Sequence, residues 1–259
     1  MNVNNKTLDL FACLKWLLLL ACGVLFAACV GPQTQQDYVS NKASARAHTD
    51  LGAVYYQQKQ LEIALEEFTL AAKIDPSFGS AYNGLGLVHA QLGQDDQAEA
   101  NFKKALQLEP NNSESHNNLG SFLCARNRID DSIKEFMAAV KNPLYGTPAM
   151  AYTNAGICAL RKNDIVNAEA YLQKALQIDP LSNAAAYQLA GIQFKRNDAA
   201  AAKLSLQNVL LSQTGPETLW LAIQIERALG SKDAEASYAL QLRRLYPDSE
   251  QAKLLRSGK

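Results

Sequence analysis

The sequence has no excess charge of either sign: 25 Lys and Arg residues face 25 Asp and Glu residues, for a formal net charge of zero. Without a net field a chain does not gather polyanions, so bulk electrostatics gives no route to nucleic acid. Aromatic residues are scarce, at 8%, and the core must be built largely from smaller side chains. No Gly-rich phosphate loop, nucleophile elbow or HExxH run occurs; these would mark a nucleotide site, an acyl-transfer serine and a catalytic zinc. Histidine is rare, and His48, His89 and His116 fall where a repeat described below expects large core residues. Cysteine is sparse too: three of the five lie in the first 30 residues, leaving only Cys124 and Cys158 beyond them. With His89 these two lack the tight ligand spacing of a zinc site. Nothing in this pattern implies a cofactor, a metal or a small-molecule substrate, and the expectation is a scaffold that is not an enzyme.

What the sequence does have begins with a leader. Lys6 and Lys15 precede Trp16–Ala28, an unbroken run of 13 apolar or small residues, which has signal-peptide length and falls short of the ~20 residues that span a bilayer. It ends in Leu25-Phe26-Ala27-Ala28-Cys29. Small residues before a cysteine resemble the lipobox of bacterial lipoproteins, which implies that Cys29 is lipidated and becomes the mature N-terminus. Phe26 departs from the usual Leu, Leu19-Leu20-Ala21-Cys22 is a weaker competitor, and an ordinary cleaved signal with a bystander cysteine is the alternative. Three acyl chains would hold firmly at ~0.8 kcal/mol per buried methylene. Val30 stands where inner-membrane lipoproteins typically carry Asp, which implies the outer membrane, periplasmic face. Residues 1–28 are thus expected to be a signal peptide and residues 29–42, polar with Gly31-Pro32, a lipidated tether.

Beyond the tether the sequence repeats itself. Frames starting near Ala45, Gly79, Ser113, Ala149, Asn183 and Glu217 are separated by 34, 34, 36, 34 and 34 residues, the period of a helical solenoid. In phase within the frames recur Leu51-Gly52, Tyr55, Ala64, Phe68, Ala71 and Pro76, then Leu85-Gly86, Ala98, Phe102, Ala105 and Pro110. Leu119-Gly120 with Phe136, and Gly156 with Ala168, Leu172 and Pro180, continue the series. This is the tetratricopeptide (TPR) pattern. Glycines belong where the two helices of a pair come closest, and prolines close the second helix because they lack an amide donor. The expected fold is all-α, a right-handed superhelical solenoid of six TPR helix pairs over residues 43–248, with a tail at 249–259.

Between the third and fourth frames the linker lengthens to Asn142-Pro143-Leu144-Tyr145-Gly146-Thr147-Pro148, where Thr147-Pro148 has the form of an N-cap followed by Pro at the first helical position. Cys124 and Cys158 sit at positions 12 and 10 of consecutive frames, on first helices that lie side by side. In an exported protein they are expected to form a disulfide, two buried free thiols being the alternative. The concave face of such a solenoid, lined by first helices, is its usual binding surface. Positions expected to point inward are Asn83, Leu87, Asn117, Asn118, Met150, Asn154, Ile157, Tyr187, Leu221 and Ile225. Carboxamides can pair with the backbone of a bound segment, and the apolar members would supply burial. Charges there are few and mixed, among them Arg46, Asp50, Glu114, Arg161 and Lys195, so a hydrophobic or amphipathic partner segment is expected.

The stretches Asn117–Cys124 (NNLGSFLC) and Asn142–Leu160 (NPLYGTPAMAYTNAGICAL), with the cysteine pair, the six repeats and the lipobox, resemble the type IV pilus biogenesis lipoproteins of the PilF/PilW kind, the pilotins. Leu119 replaces the aromatic residue associated with that place. The resemblance implies an outer-membrane lipoprotein that binds subunits of the pilus secretin and promotes their localisation and assembly into a multimeric channel. An outer-membrane TPR adaptor for envelope proteases or cell-wall enzymes would need the same groove and anchor.

Overall fold

The structure, a computed structural model, describes residues 32–212 and 215–258; the leader and Cys29 lie outside them. Among the described residues every regular element is a helix: α1 (Pro32–Gln57), α2 (Leu61–Ile74), α3 (Gly79–Gln91), α4 (Asp95–Leu108), α5 (Ser113–Ala125), α6 (Ile129–Ala139), α7 (Pro148–Arg161), α8 (Ile165–Ile178), α9 (Asn183–Lys195), α10 (Ala199–Leu211), α11 (Pro216–Ala228), α12 (Lys232–Leu245) and α13 (Glu250–Arg256). They form TPR helix pairs in two compact units that divide after Val88, within α3.

The ends of the chain differ from expectation. Residues 32–42, read as part of a polar tether, are helical and continuous with α1. Pro32 takes the first helical position, where its missing donor costs nothing, and no later Gly or Pro interrupts the run before Gly52. The 249–259 segment contains a helix instead of a free tail. Ser249 caps it, its side chain accepting from the Ala252 amide, and Ala252 is buried against Leu219, Ile223 and Leu242. About two turns of amphipathic helix therefore cover the last pair. Pro148 stands at the start of α7 as expected, but the Thr147 side chain makes no cap hydrogen bond.

Every turn joining the two helices of a pair contains one residue in the left-handed region. Lys59, Gly93, Asn127, Asn163, Asn197 and Gly230 have φ of 61°, 74°, 60°, 61°, 61° and 71°. Gly and Asn adopt this conformation cheaply, whereas a β-carbon with a long side chain costs about 1–2 kcal/mol. The reverse bond that closes the turn recurs with it, as in Gln94 N to His89 O and Arg128 N to Leu123 O, both 2.9 Å.

In the first unit the core is Ala64, Phe68, Leu85 and Val88. A β-carbon on Gly52 would lie 2.9 Å from the Phe68 ring, and one on Gly84 would lie 2.2 Å from it. The glycines make room for a ring from the second helix, which refines the expected direct approach of two backbones. In the second unit Phe136 occupies the same place beside Gly120 (2.8 Å), and Leu172 beside Gly156 (2.7 Å). Successive clusters then mix residues of neighbouring repeats: Phe136 with Ala155 and Cys158, Leu172 with Ala185 and Leu189, Leu206 with Ala222 and Ile225. No pair buries its apolar face alone.

Two stability predictions follow from this packing. Phe136→Ala removes a fully buried ring and is expected to cost about 3–5 kcal/mol in urea denaturation. Lys59→Gly relieves the left-handed strain and is expected to stabilise the chain by up to about 1 kcal/mol, since part of the relief is offset by backbone entropy; an unchanged or lowered midpoint would contradict that account.

Candidate partner-binding face

The first helices of the second unit, α5, α7, α9 and α11, hold most of the residues expected to line a groove. Three side-chain links set α5 and α7 side by side and parallel. In the first half of each helix Asn154 Nδ2 donates to Asn117 Oδ1 (3.1 Å). Further along, Cys124 and Cys158 are joined in a disulfide with their Cα atoms 5.9 Å apart. At the C-terminal end Arg161 Nη1 donates to the Cys124 carbonyl (2.7 Å). The bridge is enclosed by Ile129, Phe136 and Ala155, and the Ser132 hydroxyl lies 3.3 Å from the Cys158 sulfur.

Burial then separates the expected site residues. Asn117 is 3% exposed and Asn83, in the first unit, 7%; these carboxamides belong to the helix interior, and Asn117 is engaged by Asn154. Leu87, also in the first unit, is half-buried. Leu221 and Ile225 were expected on the surface but are core residues, 8% and 1% exposed, packed with Ala186, Ala190 and Leu206. Leu221 stands at the same place in its frame as Asn83, Asn117 and Thr153, which are buried too. For Ile225 the reason is register: a 34-residue step from the half-buried Gly191 lands on it, yet the exposed or half-exposed positions of α11 are Pro216, Glu217, Trp220, Gln224, Arg227 and Ala228. An offset of one or two residues turns a helix by ~100° per residue. Tyr187 is half-buried against the same cluster, and burial pushes its phenol pKa up.

What remains is an open face with one spacing. On α5 it presents Glu114, Asn118, Ser121 and Ala125; on α7 Met150, Asn154, Ile157 and Arg161; on α9 Ala184, Gln188, Gly191 and Lys195. These are i, i+4, i+7 and i+11 positions, one side of each helix. Met150 is 46% exposed and with Ile157 forms the apolar centre, between carboxamides and a basic margin of Arg161 and Lys195. Gly191 stands out because a β-carbon there would meet nothing within 4 Å. A mid-helix glycine costs about 1 kcal/mol relative to Ala, and nothing inside this fold requires it. It leaves a bare patch of backbone that another chain can approach closely.

Two features beside this face were not legible as sites. His116, on α5, bonds through Nδ1 to Glu135 Oε2 on α6 (2.7 Å) and through Nε2 to the Pro110 carbonyl (3.0 Å). Two acceptors require two N–H donors, so the ring is held as imidazolium; the bond to Glu135 raises its pKa above the ordinary 6.5 against partial burial. The first unit repeats the pairing with His48 and Glu67 (2.6 Å), which places these histidines in the seam between paired helices. At the opposite end of the second unit's helices, Arg126 pairs with Asp95, Arg128 with Glu99 (2.8 Å), Lys162 with Asp130 (2.5 Å) and Arg196 with Glu169. Each joins a turn to the preceding repeat. They are largely exposed and individually weak.

Four family matches fall within the repeat region, together spanning residues 52–183. The description tetratricopeptide repeat applies at residues 79–112, 101–134 and 123–183, and TPR repeat at 52–93. The chain is 28% identical over 235 residues to the type IV pilus assembly protein PilF of Pseudomonas aeruginosa, covering 89% of this chain and 92% of that protein. The solved structure of Pseudomonas aeruginosa PilF superposes with a TM-score of 0.78 at 25% identity, over 85% of this chain and all (100%) of that one. The crystal structure of PilW, described as a widely conserved type IV pilus biogenesis factor, gives a TM-score of 0.72 at 29% identity, over 82% and 97%.

Reduction of the Cys124–Cys158 bridge, which closes a loop of sequence separation 34, is expected to lower unfolding free energy by up to about 4 kcal/mol, read as a shift in the denaturation midpoint with and without reductant. His116 gives a pH signature. Its pKa is raised in the folded chain, so its contribution is full below the unfolded value of 6.5 and is lost as pH rises through the folded value. Stability is expected to fall from pH 6 towards pH 8, and His116→Gln to flatten that slope; an equal slope in the variant would remove the assignment.

Proposed function

We propose, from the premise that this chain is a PilF/PilW-like tetratricopeptide-repeat protein of type IV pilus biogenesis, that it acts as a pilotin: an outer-membrane lipoprotein, anchored through Cys29, that binds subunits of the pilus secretin and promotes their multimer assembly. The observation that carries this reading is the extent of the likeness. It runs through nearly all the repeats and takes in 92% of the pilus assembly protein of Pseudomonas aeruginosa, so it is not confined to one common helix pair. The leader ending in Leu25-Phe26-Ala27-Ala28-Cys29 supports the anchor.

The role is one of protein interaction. The secretin segment lies along the open face of α5, α7 and α9, where Met150 and Ile157 take its apolar side chains and Asn154 and Gln188 offer donors and acceptors to its backbone. Its backbone passes closest at Gly191, where the face has no side chain. Burying apolar side chains gives the affinity at roughly 25 cal/mol per Å², and the carboxamides give a register that does not depend on the segment's sequence.

Ile157→Asp and Gly191→Trp test this face with little risk to the fold, because Ile157 is only half-buried and a side chain at 191 meets open space. Each is expected to weaken binding to the purified secretin subunit at least tenfold by calorimetry, with unchanged thermal midpoint. Wild-type affinity in both variants would refute the location.

A further inference from the structure

Three of the linkers that join one repeat to the next share a single turn. In the first unit Asp75-Pro76-Ser77 folds with the Ser77 amide on Asp75 Oδ1 (2.9 Å). In the second, Asn142-Pro143-Leu144 places the Leu144 amide on Asn142 Oδ1 (3.0 Å), and Asp179-Pro180-Leu181 places the Leu181 amide on Asp179 Oδ1 (3.1 Å). The residue after the proline projects into solvent, and a polar side chain suits it: Ser77 in the first linker, and Asn111 after Glu109-Pro110 in the second. In the next two it is leucine, 89% exposed at Leu144 and 74% at Leu181. Nothing in the fold buries either side chain. Scattered surface leucines need no explanation, but two at the same place in consecutive repeats are a pattern.

Charge follows the same division. Helices of a pair run antiparallel, so within the second unit all linkers between repeats emerge at one end and all turns within pairs at the other. The within-pair turns are dense in charge: Arg126, Arg128, Asp130 and Asp131, then Arg161, Lys162 and Asp164, then Lys195, Arg196 and Asp198. At the other end the sequence carries no Asp, Glu, Lys or Arg over 142–160, 180–194 and 204–216, and the charges there stand at the borders: Lys141 before the first stretch, and Glu217, Arg243, Arg244, Asp248 and Glu250 around the last pair. Asp179 is the carboxylate within those linkers, and it is turned onto the Leu181 amide. Leu211, 82% exposed, closes α10 at this same end.

We infer that the leucine-tipped linkers at this end of the second unit rest on a lipid bilayer, with Leu144 and Leu181 inserted at the interface between headgroups and acyl chains and the bordering charges left at headgroup level. The chemistry favours a bilayer over a folded protein. Each leucine projects from its own turn, one repeat from the next, about 10 Å at ordinary helix spacing. A fluid surface takes separate tips without shape complementarity, and it excludes charge from its interior. Two leucines alone bind weakly; on a chain already held by acyl groups they would fix which end of the repeats meets the membrane. The inference rests on the anchoring proposed above. It goes beyond that reading by assigning a second, non-covalent membrane contact and by leaving the open face of the first helices free for its partner.

Tryptophan placed at each tip tests it. The full-length chain carrying Leu144→Trp, Leu181→Trp or, as control, Ser77→Trp is incorporated into vesicles of phosphatidylethanolamine and phosphatidylglycerol with brominated acyl chains. Attachment is read by flotation, insertion by quenching of the emission added over wild type. The added emission at 144 and 181 is expected to be quenched at least twofold more than that at 77. Flotation with no excess quenching at 144 and 181 overturns the inference and leaves the anchor standing. A chain that does not float overturns both. Tips unquenched by brominated lipid but shielded from aqueous iodide when the secretin subunit is added would assign the leucines to that protein instead.

Discussion

In the first, third and fourth repeats a bulky side chain of the second helix is seated where a first helix has only glycine. Phe68 lies against Gly52 and Gly84, Phe136 against Gly120, and Leu172 against Gly156. The contact is steric before it is anything else: a β-carbon at any of these glycines would sit within 3 Å of the ring or branch that fills the gap, well inside van der Waals contact. Because the bulky residue also touches the first helix of the following pair, one interlock fixes both the pair and its neighbour. The remaining core needs only alanine and branched aliphatics, which explains a chain with so few aromatics. It also gives α13 its place: Ala252 covers the apolar face that α11 and α12 leave open.

The interlock orders the surfaces. It sets the first helices parallel, so that one side of each presents residues at a common spacing, and it sends the two classes of connection to opposite ends of the second unit. One end carries the charged turns and their ion pairs; the other carries the linkers after the third and fourth repeats, which end in exposed leucines. The disulfide between α5 and α7 crosses the first-helix layer near its charged end, where the Arg161 guanidinium also reaches the Cys124 carbonyl. A scaffold of this kind offers a partner a face that is preset, so that little conformational entropy is lost on its side when a segment binds.

The repeat architecture was legible in the sequence because it is written in strictly periodic residues. Gly52, Gly120 and Gly156, with Phe68, Phe136 and Leu172, recur at fixed spacing, and each has a steric reason. Gly84 was missed because it lies two residues before the glycine of the repeat pattern; only the position of the Phe68 ring reveals its contact. The face was legible only in part. Met150, Asn154 and Ile157 lie where the 34-residue period puts them, but Ile225 does not, because the last first helix is turned relative to that period; Leu221 shares the interior place of Asn83 and Asn117. Asn117 was read as a surface carboxamide and is an interior one, a distinction that one residue of helical rotation decides. The left-handed turn residues could have been found from Asn127, Asn163 and Asn197 standing at one place in three frames. The helical state of residues 32–42 left no trace in an apolar period, since exposed residues dominate its described part.

The central claim is that this chain is needed for the secretin channel to form, and the most direct measurement is an immunoblot for heat-resistant secretin multimers in outer membranes of piliated cells that lack it. The account predicts that multimers are absent, with secretin remaining as monomer, and return when the wild-type chain is restored. Multimers present at normal abundance without the chain would contradict it.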